Sequence, residues 1–261
     1  MKRHLLIFVA LSLLITPALT SCGGYSSTDH DSQPKAAIID QLYCLKPAPA
    51  FVEKARGILE AYGFTVDVWQ GDEVTVSFYR ELPTYGYKLI LFRAHLGILC
   101  LVSESEVVPV EVTGLFTAEE YTTTKHVVEQ LTGRVYEGEM TEEFPTVFTI
   151  SPRFVTDSMK GDFDNTAILM MGCASSYLDD MATAFVEKGA SVYLGWSATV
   201  TSEYVDGATL KLIDSLCTRK LTVEQATSET MSEAGPDPYY HAGLKYYPPK
   251  CGDQTIRKLI R

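Results

Sequence analysis

Positive charge is scarce in this chain. Its 261 residues carry 22 Lys and Arg against 33 Asp and Glu, a formal charge of −11. A phosphate-backbone partner needs clustered basic side chains, so the balance argues against nucleic acid. The acidic excess reads instead as a surface that keeps a soluble protein dispersed. Metal-ligand spacing is missing as well. No Cys-x-x-Cys is present, and the five histidines stand apart at 4, 30, 95, 126 and 241. A zinc site is therefore unsupported, and neither metal nor cofactor is expected. The sequence also lacks a Gly-x-Ser-x-Gly nucleophile elbow, a phosphate-binding glycine loop and any internal repeat.

Long apolar runs are lacking too. The run from Leu5 to Ile15 is about half of the ~20 residues that span a bilayer as a helix. With Lys2 and Arg3 before it and Pro17 and small residues after it, the run has the parts of a cleaved secretory signal over residues 1–21. Leu19-Thr20-Ser21-Cys22 resembles the bacterial lipobox, whose Cys is lipidated and becomes the first mature residue. The resemblance implies a lipid on Cys22 and a lipid membrane as partner, at the outer face of the cytoplasmic membrane or at the outer membrane. Several acyl chains anchor far more durably than one. The polar stretch that follows, with Cys22 a tether over 22–35, is poor in apolar residues, as a flexible linker should be. Removal of the signal takes Lys2 and Arg3 and no acid, which makes the mature chain more acidic still.

From residue 36 the pattern alternates between strand and helix. Residues 36–42 read as a buried strand, and Phe51, Ala55, Ile58, Leu59 and Tyr62 share one helical face, with Gly63 placed to end that helix. Residues 65–69 alternate as a strand does, and 87–94 (YKLILFRA) form a strongly apolar strand that stops at His95. Two hairpin strands, 98–101 and 107–115, then lead to a helix predicted over 117–131. Residues 133–165 read as irregular apart from a strand near 146–150. The alternation returns with a strand over 166–171, a helix carrying Leu178, Met181, Ala182, Phe185 and Val186, a strand over 190–194, and helices near 204–217 and 223–233. Repeated strand–helix units predict an α/β domain over 36–235, a three-layer α/β/α sandwich on a mainly parallel sheet. Residues 236–261 are left as a C-terminal tail.

In such sheets the functional site lies beyond the carboxyl ends of the strands. His95 ends one strand there and Cys173 ends another. If the two strands are neighbours, an imidazole and a thiol share one edge, which suits thiolate chemistry with backbone amides for an oxyanion. The amides of Gly97 and Cys173 are candidates for that hole. The strand ending in Ala94-His95-Leu96-Gly97, the run ILMMGCASS and the stretch MATAFVEKGASVYLGWSATVT resemble the caspase-like cysteine peptidases. That group holds caspases, gingipains, legumain, clostripain, separase and CHAT domains, and the CHAT and gingipain flavour fits best. The resemblance implies a caspase-like fold and cysteine endopeptidase activity on a peptide or protein substrate. In it His95 is the base and Cys173 the nucleophile, Gly172 in the turn before the nucleophile counts with the oxyanion and substrate-binding residues, and Gly195-Trp196-Ser197 build part of the pocket for the residue before the scissile bond. Glu203 and Asp206 are the nearby acids that a basic substrate residue would need. The family's usual His-Gly pair is interrupted here by Leu96.

Other readings of the same residues stand beside this one. A caspase-like lipoprotein without activity would serve as a surface binding module. A papain-like order of Cys173 and His241 lacks its expected surroundings, and His126 and His241 read as surface residues. If Cys22 carries lipid, five cysteines remain, at 44, 100, 173, 217 and 251. Two disulfides among Cys44, Cys100, Cys217 and Cys251 would leave Cys173 free.

Overall fold

The structure, a computed structural model, describes residues 33–101, 110–140 and 144–261. The signal segment, Cys22 and nearly all of the tether lie outside these residues, as does the start of the second hairpin strand. Residues from Gln33 to Arg261 form one compact unit.

Its centre is a six-stranded sheet. β1 (Lys35–Asp40), β2 (Thr65–Gln70), β3 (Tyr87–Arg93), β8 (Thr166–Met170) and β9 (Ala190–Trp196) run parallel, and β10 (Leu244–Tyr247) pairs antiparallel with β9. The strand order is β10-β9-β8-β3-β1-β2. The inner strands read as unbroken apolar runs because both faces of the sheet are covered. On one face Ile38, Leu89, Leu91, Leu169 and Leu194 pack with three helices: α1 (Pro49–Tyr62), α6 (Ser202–Ile213) and α7 (Val223–Ala234). On the other, Ile39, Ile90, Phe92, Ile168 and Met170 meet α2 (Val76–Glu81), α4 (Pro152–Asp157) and α5 (Asp180–Glu187). The two-residue side-chain period of a strand divides these sets. The architecture is an α/β sandwich on a mostly parallel sheet.

Local signals fix the helix ends. Gly63 closes α1 at φ 114°, a left-handed conformation that glycine adopts freely. Thr222 and Gln225 form a reciprocal capping box at the start of α7, where such a cap is worth about 1 kcal/mol.

Between β3 and β8 the chain leaves the main sheet and builds a second one. Its strands are β4 (Leu96–Leu101), β5 (Val110–Glu120), β6 (Val135–Gly138) and β7 (Val147–Ile150), in the antiparallel order β4-β5-β7-β6. Leu96, Leu115, Phe148 and Ile150 from this sheet enter the same core as Phe92 and Phe185. Asp180, at the start of α5, clips it in place by accepting from the Thr113 amide at 2.8 Å and the Thr113 hydroxyl at 2.6 Å.

Three expectations are corrected. The helix predicted over 117–131 is strand as far as Glu120, and only α3 (Val127–Leu131) is helical. Thr117 is buried and donates its hydroxyl to Phe148 O at 2.7 Å, and Glu120 pairs with Val147. Three consecutive β-branched residues, Thr122 to Thr124, then disfavour helix. The irregular stretch 133–165 contains β6 and α4 besides the expected strand. The stretch 236–261 is no separate tail: it supplies β10, and Ile256 and Leu259 of α8 (Ile256–Leu259) are buried in the core.

Candidate active site

Because β1, β3, β8 and β9 are parallel, Asp40, Arg93, His95, Cys173 and Trp196 gather at one carboxyl edge of the sheet. β3 and β8 are immediate neighbours, with Phe92 beside Met170. The condition set by the sequence, that the His95 and Cys173 strands adjoin, is met. The approach continues beyond the strands, where the Met171 amide donates to Phe92 O at 2.9 Å. Gly172 lies so close to Ala94 O and Leu96 Cδ1 that a Cβ there would fall far inside contact distance. A glycine at 172 is thus what lets the Cys173 turn press against the segment holding His95.

The turn itself is tightly held. Ala174 takes a left-handed φ of 51°, unfavourable for a residue with a Cβ. Hydrogen bonds fix it there: Ala174 N donates to Ala198 O at 2.9 Å and Ser176 N to Trp196 O at 2.8 Å. The buried Ser175 hydroxyl donates to Met170 O at 3.1 Å and accepts from the Trp196 amide at 2.8 Å. Gly195 is small for the same reason, since a Cβ there would meet the Ser175 and Ser176 hydroxyls at 2.7 and 2.6 Å.

The Cys173 thiol is half-buried and donates to Val200 O at 3.5 Å. Burial pushes it above its ordinary range, and the nearby Asp237 carboxylate adds to that, while the amides of Val200 and Cys173 offset part of the rise. The His95 ring packs edge-on against Phe116 at 4.5 Å, and burial pulls its pKa down. No hydrogen bond joins the His95 ring to the thiol. The resting pair is therefore a neutral imidazole and a neutral thiol on adjacent strand ends, not an ion pair. The His95 amide donates to the Gln41 side chain at 2.9 Å, and Gln41 also donates to Thr117 O, which ties β1, β3 and β5 together behind the imidazole.

The other residues singled out from the sequence separate into two groups. Gly97 lies in the β4–β5 ladder opposite Gly114, two positions from the His95–Phe116 hydrogen-bonded pair. Directly opposed residues alternate in kind along an antiparallel ladder, so the Gly97 amide is engaged within the sheet. Among the described residues the amides of Gly172 and Cys173 have no backbone acceptor. Trp196 is fully buried and packs against Tyr204 in the core, so its ring lines no surface cleft. Ser197 instead holds the segment before β10, with its amide on Gly243 O and its hydroxyl accepting from Gly243 N, both at 2.9 Å.

A buried charge cluster sits beside this site. Arg93, 1 % exposed, donates to Asp40 at 2.8 Å, to Asp206 through two bonds at 2.9 and 3.2 Å, and to Lys46 O at 3.0 Å. Burial holds the Asp40 carboxyl above the usual carboxylate range despite Arg93, and one Asp40 oxygen has no partner among the described residues. Asp206 is therefore committed to Arg93, while Glu203 is exposed and paired with Lys46 at 2.7 Å. The sequence signal for the cluster was an arginine inside the apolar run YKLILFRA and an aspartate ending AAIID.

Asp237 was also missed. It is fully buried and accepts from the amides of Thr201, Tyr239 and Tyr240 at 2.8, 2.9 and 2.8 Å, and from the Thr201 hydroxyl at 3.0 Å. Its signal was an Asp-Pro-Tyr-Tyr turn within the unplaced stretch. His126 is not a surface residue: its ring is half-buried between Phe148 and the Glu119 carboxylate, which lies 3.1 Å away. His241 is exposed.

Cys44, Cys100, Cys173, Cys217 and Cys251 are all free thiols, so counting pairs does not single out Cys173. Among the described residues no three His, Cys, Asp or Glu side chains converge as a metal site, and no helix is long and apolar enough to cross a membrane.

The chain matches no family model and no curated protein.

Proposed function

We propose that the protein is a caspase-like cysteine endopeptidase, carried on a lipid anchor at Cys22, in which His95 and Cys173 form the catalytic dyad. One observation carries this reading. The imidazole and the thiol sit on the ends of adjacent parallel strands, and Gly172 brings the two segments into contact. The strand order, with a single antiparallel strand at one edge beside the nucleophile turn, supports the caspase-like part of it.

The chemistry follows from neutral partners. The thiol leaves Val200 O and turns to His95, whose burial keeps the ring neutral and able to take the proton. The sulfur then attacks the peptide carbonyl carbon, and the oxyanion meets the amides of Gly172 and Cys173. The imidazolium returns the proton to the leaving amine, and water resolves the acyl-enzyme. Asp206 is engaged by Arg93 and Glu203 by Lys46, so neither of the acids considered for a basic substrate side chain is free.

The test is Cys173→Ala, which should abolish both peptide hydrolysis and labelling by an acyloxymethyl ketone. Undiminished hydrolysis by that variant would sink the proposal. The anchor is tested by the mass of the mature N-terminal peptide and by release of a Cys22→Ala variant from membranes. A second reading, an inactive surface-binding module, has one observation in its favour: the thiol bonds Val200 O and not His95. It expects Cys173 to resist the ketone probe in the unaltered protein.

A further inference from the structure

Cys173 is gripped by a loop that depends on a residue distant in the chain. The β9–α6 loop supplies both partners of the nucleophile turn, Ala198 O for the Ala174 amide and Val200 O for the thiol. Thr201, the cap residue of α6 at the far end of that loop, makes no capping bond with its side chain. Its amide and hydroxyl both go to Asp237 Oδ2, while Asp237 Oδ1 takes the Tyr239 and Tyr240 amides. One buried carboxylate thus ties the loop over Cys173 to the segment before β10, which is also held by the Ser197–Gly243 bonds.

We propose that Asp237 is a positioning residue for Cys173, clamping the 198–201 loop so that the thiol rests on Val200 O. The inference deepens the peptidase reading and rests on it for its catalytic half; its effect on thiol reactivity stands apart. Burial alone would raise the Asp237 carboxyl, but the amides of Thr201, Tyr240 and Tyr239 and the Thr201 hydroxyl hold it below the usual carboxylate range. It is a fixed negative charge at neutral pH, further favoured at the N-terminus of α6. The titratable and charged groups at this edge are Asp40 and Arg93 on β1 and β3, His95 just beyond β3, the paired Lys46 and Glu203, Tyr204 and Asp206 on α6, Lys245 on β10, and Asp237. Arg93 is neutralised by its two carboxylates, Lys245 reaches Ser176 O, and Asp237 is the charge acting on the sulfur. The clamp therefore does two separable things: it holds the thiol in one place and disfavours its ionisation.

Alkylation of Cys173 by iodoacetamide against pH, read by mass spectrometry of its peptide in the full-length protein, separates them. Asp237→Asn removes the charge, so the pH midpoint should fall and the rate at neutral pH should rise. Thr201→Val keeps the charge and loses one bond, so the high-pH rate should rise with the midpoint unmoved. If Asp237→Asn unfolds the chain, the Thr201→Val plateau alone decides. An unmoved midpoint in folded Asp237→Asn, or an unchanged plateau in Thr201→Val, overturns the inference. In a hydrolytic protein Asp237→Asn should also lower kcat more than it changes KM. If alkylation responds as expected but the unaltered protein cleaves no peptide, the positioning role stands and the peptidase reading falls. Cleavage by the unaltered protein with alkylation indifferent to both substitutions has the opposite meaning: the peptidase reading stands and the positioning role falls.

Discussion

Replacing Arg93 by Met tests whether the cluster beside the site is held by charge. Among the described residues Arg93 supplies every side-chain bond that reaches Asp206 and the one ion pair of Asp40, whose side chain is wholly buried. Met fills much of the same volume but leaves Asp40 without a counter-charge. Breaking a buried pair on one side costs about 3–5 kcal/mol. For a chain of this size that is roughly 6–20 °C in Tm, at ~2–4 °C per kcal/mol. Because Asp206 is one-fifth exposed and keeps water, most of the loss should come from Asp40. A second change, Asp40→Asn, should then recover about half of it. The pH dependence has a definite sign. Burial already raises Asp40 in the folded state, and losing Arg93 raises it further. A carboxyl with a raised folded pKa contributes stability that is present below its unfolded value and lost as pH rises through the folded one. The deficit of Arg93→Met should therefore shrink as pH is lowered from 7. Urea unfolding at several pH values measures it. A loss below about 1 kcal/mol at pH 7, or no recovery in the double variant, would refute the reasoning.

Three further outcomes follow from the geometry. Gly172→Ala forces a Cβ into Ala94 O and Leu96, and should cost about 1–3 kcal/mol by thermal melting while slowing the ketone labelling of Cys173. Asp180→Ala frees the Thr113 amide and hydroxyl and should cost about 1–3 kcal/mol, with faster hydrogen exchange at Thr113 before any change in β8. Thiol labelling of the native protein at pH 8 should begin at the exposed Cys44 and Cys100 and spare Cys217 and Cys251, which burial pushes up to about 12 and about 11. Their raised values mean stability that is full below the ordinary thiol value of 9.0 and lost as pH rises towards 12, which alkaline unfolding would read.

The sequence made the main sheet legible because its inner strands are covered on both sides. AAIID, YKLILFR and TAILM are apolar but for Asp40, Lys88, Arg93 and Thr166, and a strand covered on both faces hides such runs from water. Gly63 marked a helix end because its backbone conformation favours glycine. The end of β5, Thr117 to Glu120, was misread because its residues are polar and helix-compatible; Thr117 and Glu120 meet Phe148 and Val147 far along the chain, and Glu119 meets Val76 as well as the nearer Lys125 and His126. β6 and β10, VYEG and LKYY, are too short and mixed to announce themselves without the strands they join. At the site, strand-end placement made His95 and Cys173 readable. What the sequence could not carry was mutual register: that Gly97 would enter a ladder, that Trp196 would turn inward, and that a carboxylate at 237 would reach residue 201.

That last contact also sets a timetable. His95, Cys173 and Asp237 come from three widely separated parts of the chain, and closing such distances is entropically slow. During synthesis the segments bearing the imidazole and the thiol exist well before β10 and the residues leading into it. Until those arrive, the loop carrying Val200 has no anchor at Thr201, and β9 is an open edge. A partly made or partly folded chain therefore carries a thiol with no fixed partner, so the reactivity of Cys173 reports the completion of folding.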